Sequence, residues 1–245
     1  MSDELLTMRV QVVPEDRLAA RGAAYAAAVL RAAVAARGRA TVAFSGGSTA
    51  GPLLAALAYA DVPWSALHVL QVDERVAPDG HPDRNLTLLR QHLLDHVPVP
   101  TDALHTMPVD EVDLDAAAAR YADVLLDLAG RPPRLDLVHL GIGTDGHTAS
   151  LVPGSPLLEL TRELVAVTAP YHGRRRMTLT LSVLSQARRV LWFVRGAAKA
   201  QMVRRLVEGD TSIPAGRVEA SRALLLLDPA AAAALPTEVI SEGEE

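Results

Sequence analysis

Short β-branched or apolar runs alternate along this chain with Ala- and Leu-rich stretches of helical periodicity, and few architectures accommodate that order. The strand-like runs fall at residues 41–44, 68–72, 135–140, 164–168, 177–181, 190–194 and 223–227, with helical patterns at 17–36, 52–59, 86–95, 114–128 and 197–208. The stretch before residue 42 reads as one further strand and the first, Ala-rich helix. Strand–helix–strand units place successive strands parallel in one sheet, with helices over both faces. The predicted fold class is therefore α/β, three-layer α/β/α, around a mostly parallel sheet. Neither an internal repeat nor a long linker breaks the pattern, so residues 1–245 are expected to form a single domain. A local excursion is expected around residues 158–185, and a frayed acidic tail at about 240–245.

Composition narrows the classes. A hydrophobic content of 49% over 245 residues is ample for a full core. The absence of cysteine removes thiol nucleophiles, disulfides and thiolate metal sites, and fits a reducing compartment. Net charge is −5, and the 24 Lys and Arg are scattered apart from Arg174, Arg175 and Arg176. With aromatics at only 3%, neither a phosphate-backbone footprint nor a base-stacking platform is visible. The N-terminus carries two early acids and no unbroken apolar stretch, unlike a signal peptide. The longest Ala-rich run, residues 23–36, is interrupted by Tyr25 and Arg31 and falls short of the ~20 apolar residues of a membrane span. A cytoplasmic protein is expected, with no nucleic-acid or membrane partner, as a monomer or small homo-oligomer.

In an open parallel sheet, ligands bind beyond the carboxyl ends of the strands, and three loops there are unusual. SGGSTAGPLL, residues 45–54, offers adjacent glycines Gly46 and Gly47 with the hydroxyls of Ser45, Ser48 and Thr49 beside a helix N-terminus. Phosphate suits such a cradle, although a plain Gly-rich turn with a Ser or Thr N-cap reads equally well from these residues alone. No Gly-Lys-Ser/Thr follows, and the dinucleotide spacing is absent. DERVAPDGHPDRN, residues 73–85, leaves a strand so that Asp73 and Arg75 project together while Glu74 points elsewhere. Arg75 could fork onto phosphate or carboxylate; a solvated ion pair is the plainer reading, and His81 reads as an exposed loop residue. GIGTDGHTAS, residues 141–150, displays Asp145 and His147 on a frame of three glycines within six residues. An imidazole there, with a carboxylate two residues away, is a candidate general base. His139 alternates into the preceding strand as packing.

His92 and His96 stand four apart on a helix, but no third metal ligand accompanies them, and they read as surface or interface residues. Arg176 and Lys199 are candidate phosphate cations or ordinary surface charges. No Gly-x-Ser-x-Gly elbow supports a serine hydrolase.

SGGST, DERV and GIGTDGHTASLVPG, in that order at successive strand ends, resemble the 6-phosphogluconolactonase family, within the wider group that includes glucosamine-6-phosphate deaminases. The resemblance runs from about residue 42 to residue 199. It implies a Rossmann-like fold and a carboxylic ester hydrolase of the pentose phosphate pathway without cofactor or metal, converting 6-phospho-D-glucono-1,5-lactone to 6-phospho-D-gluconate. His147 would be the general base, and Asp145 and Asp73 would orient it or the sugar hydroxyls. Ser45, Gly46, Gly47, Ser48, Thr49, Arg75, Asn85, Arg176 and Lys199 would hold the phosphorylated substrate. Deaminases carry DGHIAFNEPG, whose Asn and Glu fall on Leu151 and Val152 here, so deaminase chemistry is disfavoured. Ala50 replaces a family Pro, and Arg84 a family Ser, the latter able to adjust substrate contacts. The alternatives are a deaminase-like enzyme or a sugar-phosphate-sensing domain, though such regulators carry a helix-turn-helix in a segment that here reads as a strand and one helix.

Overall fold

The computed structural model describes residues 8–47, 49–219 and 221–239; the acidic tail expectation lies outside them. The strands of the main sheet are β1 (Arg9–Val12), β2 (Ala40–Phe44), β3 (Leu67–Gln71), β5 (Leu104–His105), β6 (Leu137–Leu140), β9 (Val190–Val194) and β10 (Ala223–Leu227). All pair in parallel, in the order β1-β10-β9-β6-β2-β3-β5. A parallel sheet covered on both faces needs apolar side chains on both, so its strands read as unbroken apolar runs. Every residue of β2, β9 and β10 is buried.

Alternate residues feed two separate cores. Phe44, Leu191, Phe193, Leu224 and Leu226 pack with α1 (Glu15–Arg37), α2 (Ala50–Ala58) and α3 (Asn85–His92). Ala43, Trp192, Val194, Leu225 and Leu227 face α4 (Leu114–Ala129), α5 (Leu181–Gln186) and α6 (Ala200–Val207) on the other side. Burial of this kind is worth roughly 25 cal/mol per Å² of apolar surface, and it holds the three layers together. α4 starts where the Asp113 carboxylate accepts from the Ala116 amide at 3.0 Å, a side-chain N-cap. By length and composition α1, at 23 residues, could cross a membrane. Here it lies against β2, β6, β9 and β10, with Leu18, Gly22, Ala23, Ala26, Ala27, Leu30 and Ala33 inward.

Two of the expected strands are not in the parallel sheet. β7 (Val165–Val167) and β8 (Arg176–Leu179) join β4 (Asp73–Arg75) in a three-stranded antiparallel sheet of order β4-β8-β7, which is the excursion anticipated near residues 158–185. The DER segment, read as the start of a loop, is strand β4, because its cross-strand partners lie a hundred residues away in β8. The expected helix at 197–208 begins as a 3-10 turn over Ala197–Lys199.

From β2 the chain builds outward through β3 to β5, then returns to place β6 on β2's other side. The direction of growth reverses between β2 and β6, and there the loops leaving the two strands diverge and open a crevice.

Candidate active site

That crevice is a cavity of about 270 Å³, into which both glycine-rich loops, β4 and β8 all lead. Of the sequence-predicted site residues, Ser45, Gly46, Gly47, Thr49, Asp73, Arg75, Asn85, His147, Arg176 and Lys199 line it. Asp145 sits behind His147, and Ser48 lies outside the described residues.

The loop after β6 is closed on itself: the Gly143 amide donates to the His147 carbonyl at 2.8 Å, and the Thr148 hydroxyl to the Gly141 carbonyl at 2.9 Å. A Cβ on Gly143 would overlap both the His147 ring and the Asp145 carboxylate, so only glycine lets those side chains lie over the backbone there. His147 Nδ1 is 2.5 Å from Asp145 Oδ1, which also accepts from the His147 amide at 3.1 Å. Asp145 Oδ2 accepts from the Tyr171 hydroxyl at 3.1 Å. Burial pushes the Asp145 carboxyl up, but the His147 amide and imidazole and the Tyr171 hydroxyl outweigh it and hold it below the usual carboxylate range. An ionised Asp145 fixes the tautomer: Nδ1 carries the proton and Nε2 is left as the basic nitrogen. Ala149, at φ +52, is a non-glycine in left-handed backbone on the cavity wall.

The cationic side comes from the antiparallel sheet. Arg75 of β4 and Arg176 of β8 are register partners, two like charges opposite each other. Such a pair destabilises a sheet unless an anion is shared. Arg176 is 8% exposed, and the Nε atoms of both arginines are buried without a hydrogen-bond partner among the described residues. Burial, reinforced by the nearby Arg75 charge, disfavours the charged form of Arg176. Its guanidinium carbon also sits 5.0 Å from the Tyr171 ring centroid. Lys199 closes the cavity opposite; burial pulls its ammonium down, while the Asp145 charge counteracts. Three cations therefore converge on one cavity, two with unused donors, which suits a phosphate.

Asp73 is 4% exposed and held from two sides. Asn85 Nδ2 donates to its Oδ1 at 3.0 Å and its carbonyl at 2.8 Å, and the Ser150 hydroxyl to Oδ2 at 2.5 Å. No hydrogen bond joins Asp73 to His147 among the described residues, and the carboxylate bonded to the imidazole is that of Asp145. Asn85 Oδ1 is buried without a donor among the described residues and packs against Gly46, where a Cβ would collide with it. Glu74 does point elsewhere, into the interior, where its carboxylate accepts from the Asn85 and Leu86 amides at the start of α3. Arg84 corrects an expectation: it is 2% exposed, paired with Glu74 at 3.2 Å and with Asp110, and does not line the cavity.

Tyr171 goes unnoticed in the sequence, and Ser150 and Ala149 read there only as part of the third motif, with no role of their own. The one signal for Tyr171 is an aromatic residue in an aromatic-poor chain, just before the arginine run. His139 packs inside the sheet as expected, and His92 and His96 join no cluster of three metal-ligating side chains among the described residues. Leu151 is fully buried in the core.

A parallel α/β sheet whose switch point carries paired arginines beside a carboxylate-held imidazole brings cationic groups and an imidazole together in one cavity. Comparison with known proteins sharpens this. The model of the family described as glucosamine-6-phosphate isomerases/6-phosphogluconolactonase matches residues 14–226, and the chain belongs to that family. A 6-phosphogluconolactonase of Mycobacterium tuberculosis is 38% identical, covering 95% of this chain and 100% of that one. The solved 6-phosphogluconolactonase of Trypanosoma brucei is 27% identical with a TM-score of 0.80, covering 94% and 99% of the two chains. A monomeric glucosamine-6-phosphate deaminase at 18% identity reaches a TM-score of 0.81 over 93% of this chain and 100% of its own. The fold is thus common to both chemistries, and the choice between them rests on side chains.

Proposed function

We propose that this protein is a cytoplasmic 6-phosphogluconolactonase that hydrolyses 6-phospho-D-glucono-1,5-lactone to 6-phospho-D-gluconate. The observation that carries the reading is the Asp145–His147 pair, 2.5 Å apart, set across one cavity from the register-paired Arg75 and Arg176. The lactonase names of the relatives support the same substrate.

The 6-phosphate rests on the amides of the loop after β2 and on Arg75, Arg176 and Lys199, which brings the lactone carbonyl to His147. Asp73 and Asn85, fixed to each other, are available to the sugar hydroxyls. His147 Nε2 takes a proton from water, and the hydroxide attacks C1 of the lactone. Asp145 holds the imidazolium that forms. The tetrahedral oxyanion collapses as the C1–ring-oxygen bond breaks, and the imidazolium returns its proton to the departing oxygen. One water is consumed, and the product acid ionises in solution. Deaminase chemistry lacks its acid: Leu151 is buried in the core and Val152 has no ionisable group.

The test is a pH-stat assay on fresh lactone, corrected for spontaneous hydrolysis. His147→Gln is expected to lower kcat by about 10²- to 10⁴-fold, the range for a lost general base. Parental turnover in that variant would defeat the assignment of the base, and ammonia release from glucosamine 6-phosphate by the parent would overturn the choice of reaction.

A further inference from the structure

A second cavity, larger than the first at about 540 Å³, opens at the opposite edge of the main sheet, where the strands begin. The two cavities share no residue, and strands of five residues at ~3.3 Å each put them roughly 15 Å apart. The floor is apolar: Tyr25, Ala28, Val29, Ala32 and Ala33 of α1, where Ala28 and Ala32 are exposed and Tyr25 and Val29 pack partly against the core beneath.

The wall is cationic, and topology makes it so. Parallel strands gather their first residues at one edge, so Arg188 and Arg189 before β9, Arg222 before β10, Arg134 ahead of β6 and Arg37 at the end of α1 all meet there. Against these five guanidinium groups stands one carboxylate, Asp136, in a chain whose net charge is −5. Asp136 is already committed. It is 6% exposed and accepts from the Thr41 amide at 2.9 Å and from Arg37 at 2.5 Å, with Arg188 Nε at 3.3 Å. Arg134, Arg189 and Arg222 have no carboxylate partner among the described residues. Arg189 and Arg9 also face the Tyr25 phenol: burial raises it, and their charges pull it back.

We infer that this cavity binds an organic polyphosphate of the nucleotide class, with its phosphates on Arg134, Arg189 and Arg222 and its ring system against Tyr25 and the α1 alanines. Both halves of the lining select for that chemistry. An inorganic anion leaves the apolar floor wet, and an uncharged apolar molecule makes no use of the three exposed guanidinium groups, among which Arg189 donates to the Arg188 carbonyl at 2.7 Å. The volume falls within the ~300–1,000 Å³ that small-molecule sites occupy.

Titration calorimetry with ATP on the intact chain tests the inference, and its readout does not depend on lactone turnover. Arg189→Ala combined with Arg222→Ala removes two exposed side chains with no carboxylate to strand; a thermal melt confirms the fold is kept. ATP is expected to bind the parent, about tenfold or more weakly to this double variant, and unchanged to Arg176→Met in the other cavity. Pyrophosphate, which keeps the charge and lacks the ring, is expected to bind the parent several-fold more weakly than ATP. Absence of ATP binding at about 5 mM overturns the site. So does ATP binding that Arg176→Met abolishes and the double variant leaves intact, and equal affinities for ATP and pyrophosphate overturn the nucleotide class.

Discussion

His139 and His147 stand eight residues apart, one inside β6 and one in the loop leaving it, and the fold treats them in opposite ways. His139 is 1% exposed, its ring between Phe44 and Phe193 with centroids 6.4 and 6.3 Å away, and neither nitrogen has a hydrogen-bond partner among the described residues. Burial alone pushes its pKa down to about 4, so it stays a neutral, apolar-like filler at physiological pH. His147 lies just beyond the carboxyl end of the same strand, with one nitrogen locked by Asp145 and the other facing a cavity. The same side chain becomes core packing or part of a cavity wall according to which side of the strand's end it occupies. The strand interior offers no acceptor because its backbone groups are spent on the sheet; the loop, freed from pairing, can fold a carboxylate back onto the ring.

The largest test of that contrast is on the partner rather than the base. In Asp145→Asn the side-chain amide can present a donor to Nδ1, favouring the tautomer that carries its proton on Nε2, away from the role of base. A fall in kcat of about 10²- to 10⁴-fold is expected, with the thermal midpoint nearly unchanged because both groups are partly exposed. Parental kcat in this variant would mean that His147 does not depend on Asp145.

His139→Leu tests the other half, and its readout is stability. The folded pKa lies below the unfolded value of 6.5, so between about 6.5 and about 4 the unfolded chain takes up a proton that the folded ring refuses. This contribution to stability is complete above pH 6.5 and is lost as pH falls towards 4, amounting to about 3 kcal/mol at the acid end. The leucine variant removes that slope, and at pH 7.5 it gains about 1 kcal/mol by deleting two unsatisfied polar atoms from the core. Urea unfolding at pH 7.5 and 5.0 measures both quantities, and the lactonase rate is expected to stay within a factor of about two. A variant whose stability tracks pH as the parent's does would acquit His139.

The same boundary governs what was legible beforehand. Buried parallel strands such as Val190–Val194 announce themselves as continuous apolar runs, and the polar residues displayed at their ends stand out against that background. Nearly every cavity residue sits in such a position. What stayed hidden depends on distant pairing or on burial of charge. β4 is the charged triplet Asp73-Glu74-Arg75, a strand only because β8 lies beside it, and the facing of Arg75 with Arg176 follows from that register alone. Glu74 reads only as pointing away from Asp73 and Arg75, and Arg84 as a residue able to adjust substrate contacts, yet the two neutralise each other in the interior, where an isolated charge is not expected. Tyr171 comes from the β7–β8 connection, whose approach to His147 no local pattern records.

Tyr171 offers the smallest effect and the finest division between the two histidine environments. Its hydroxyl donates to the Asp145 oxygen that His147 leaves free, and it helps hold that carboxyl down. In Tyr171→Phe the ring remains beside His147 and under Arg176 while the donor disappears. Asp145 then rises, because one of the groups favouring its charged form is gone, and it protonates at higher pH as acid is added. The acidic limb of the rate profile is expected to move upward by less than about one pH unit, with kcat at pH 7.5 within about threefold of the parent. A purely structural role for Tyr171 would lower the rate without moving that limb. A profile superimposable on the parent's would instead leave Asp145 governed by His147 alone, reducing the proposed catalytic unit from three side chains to two.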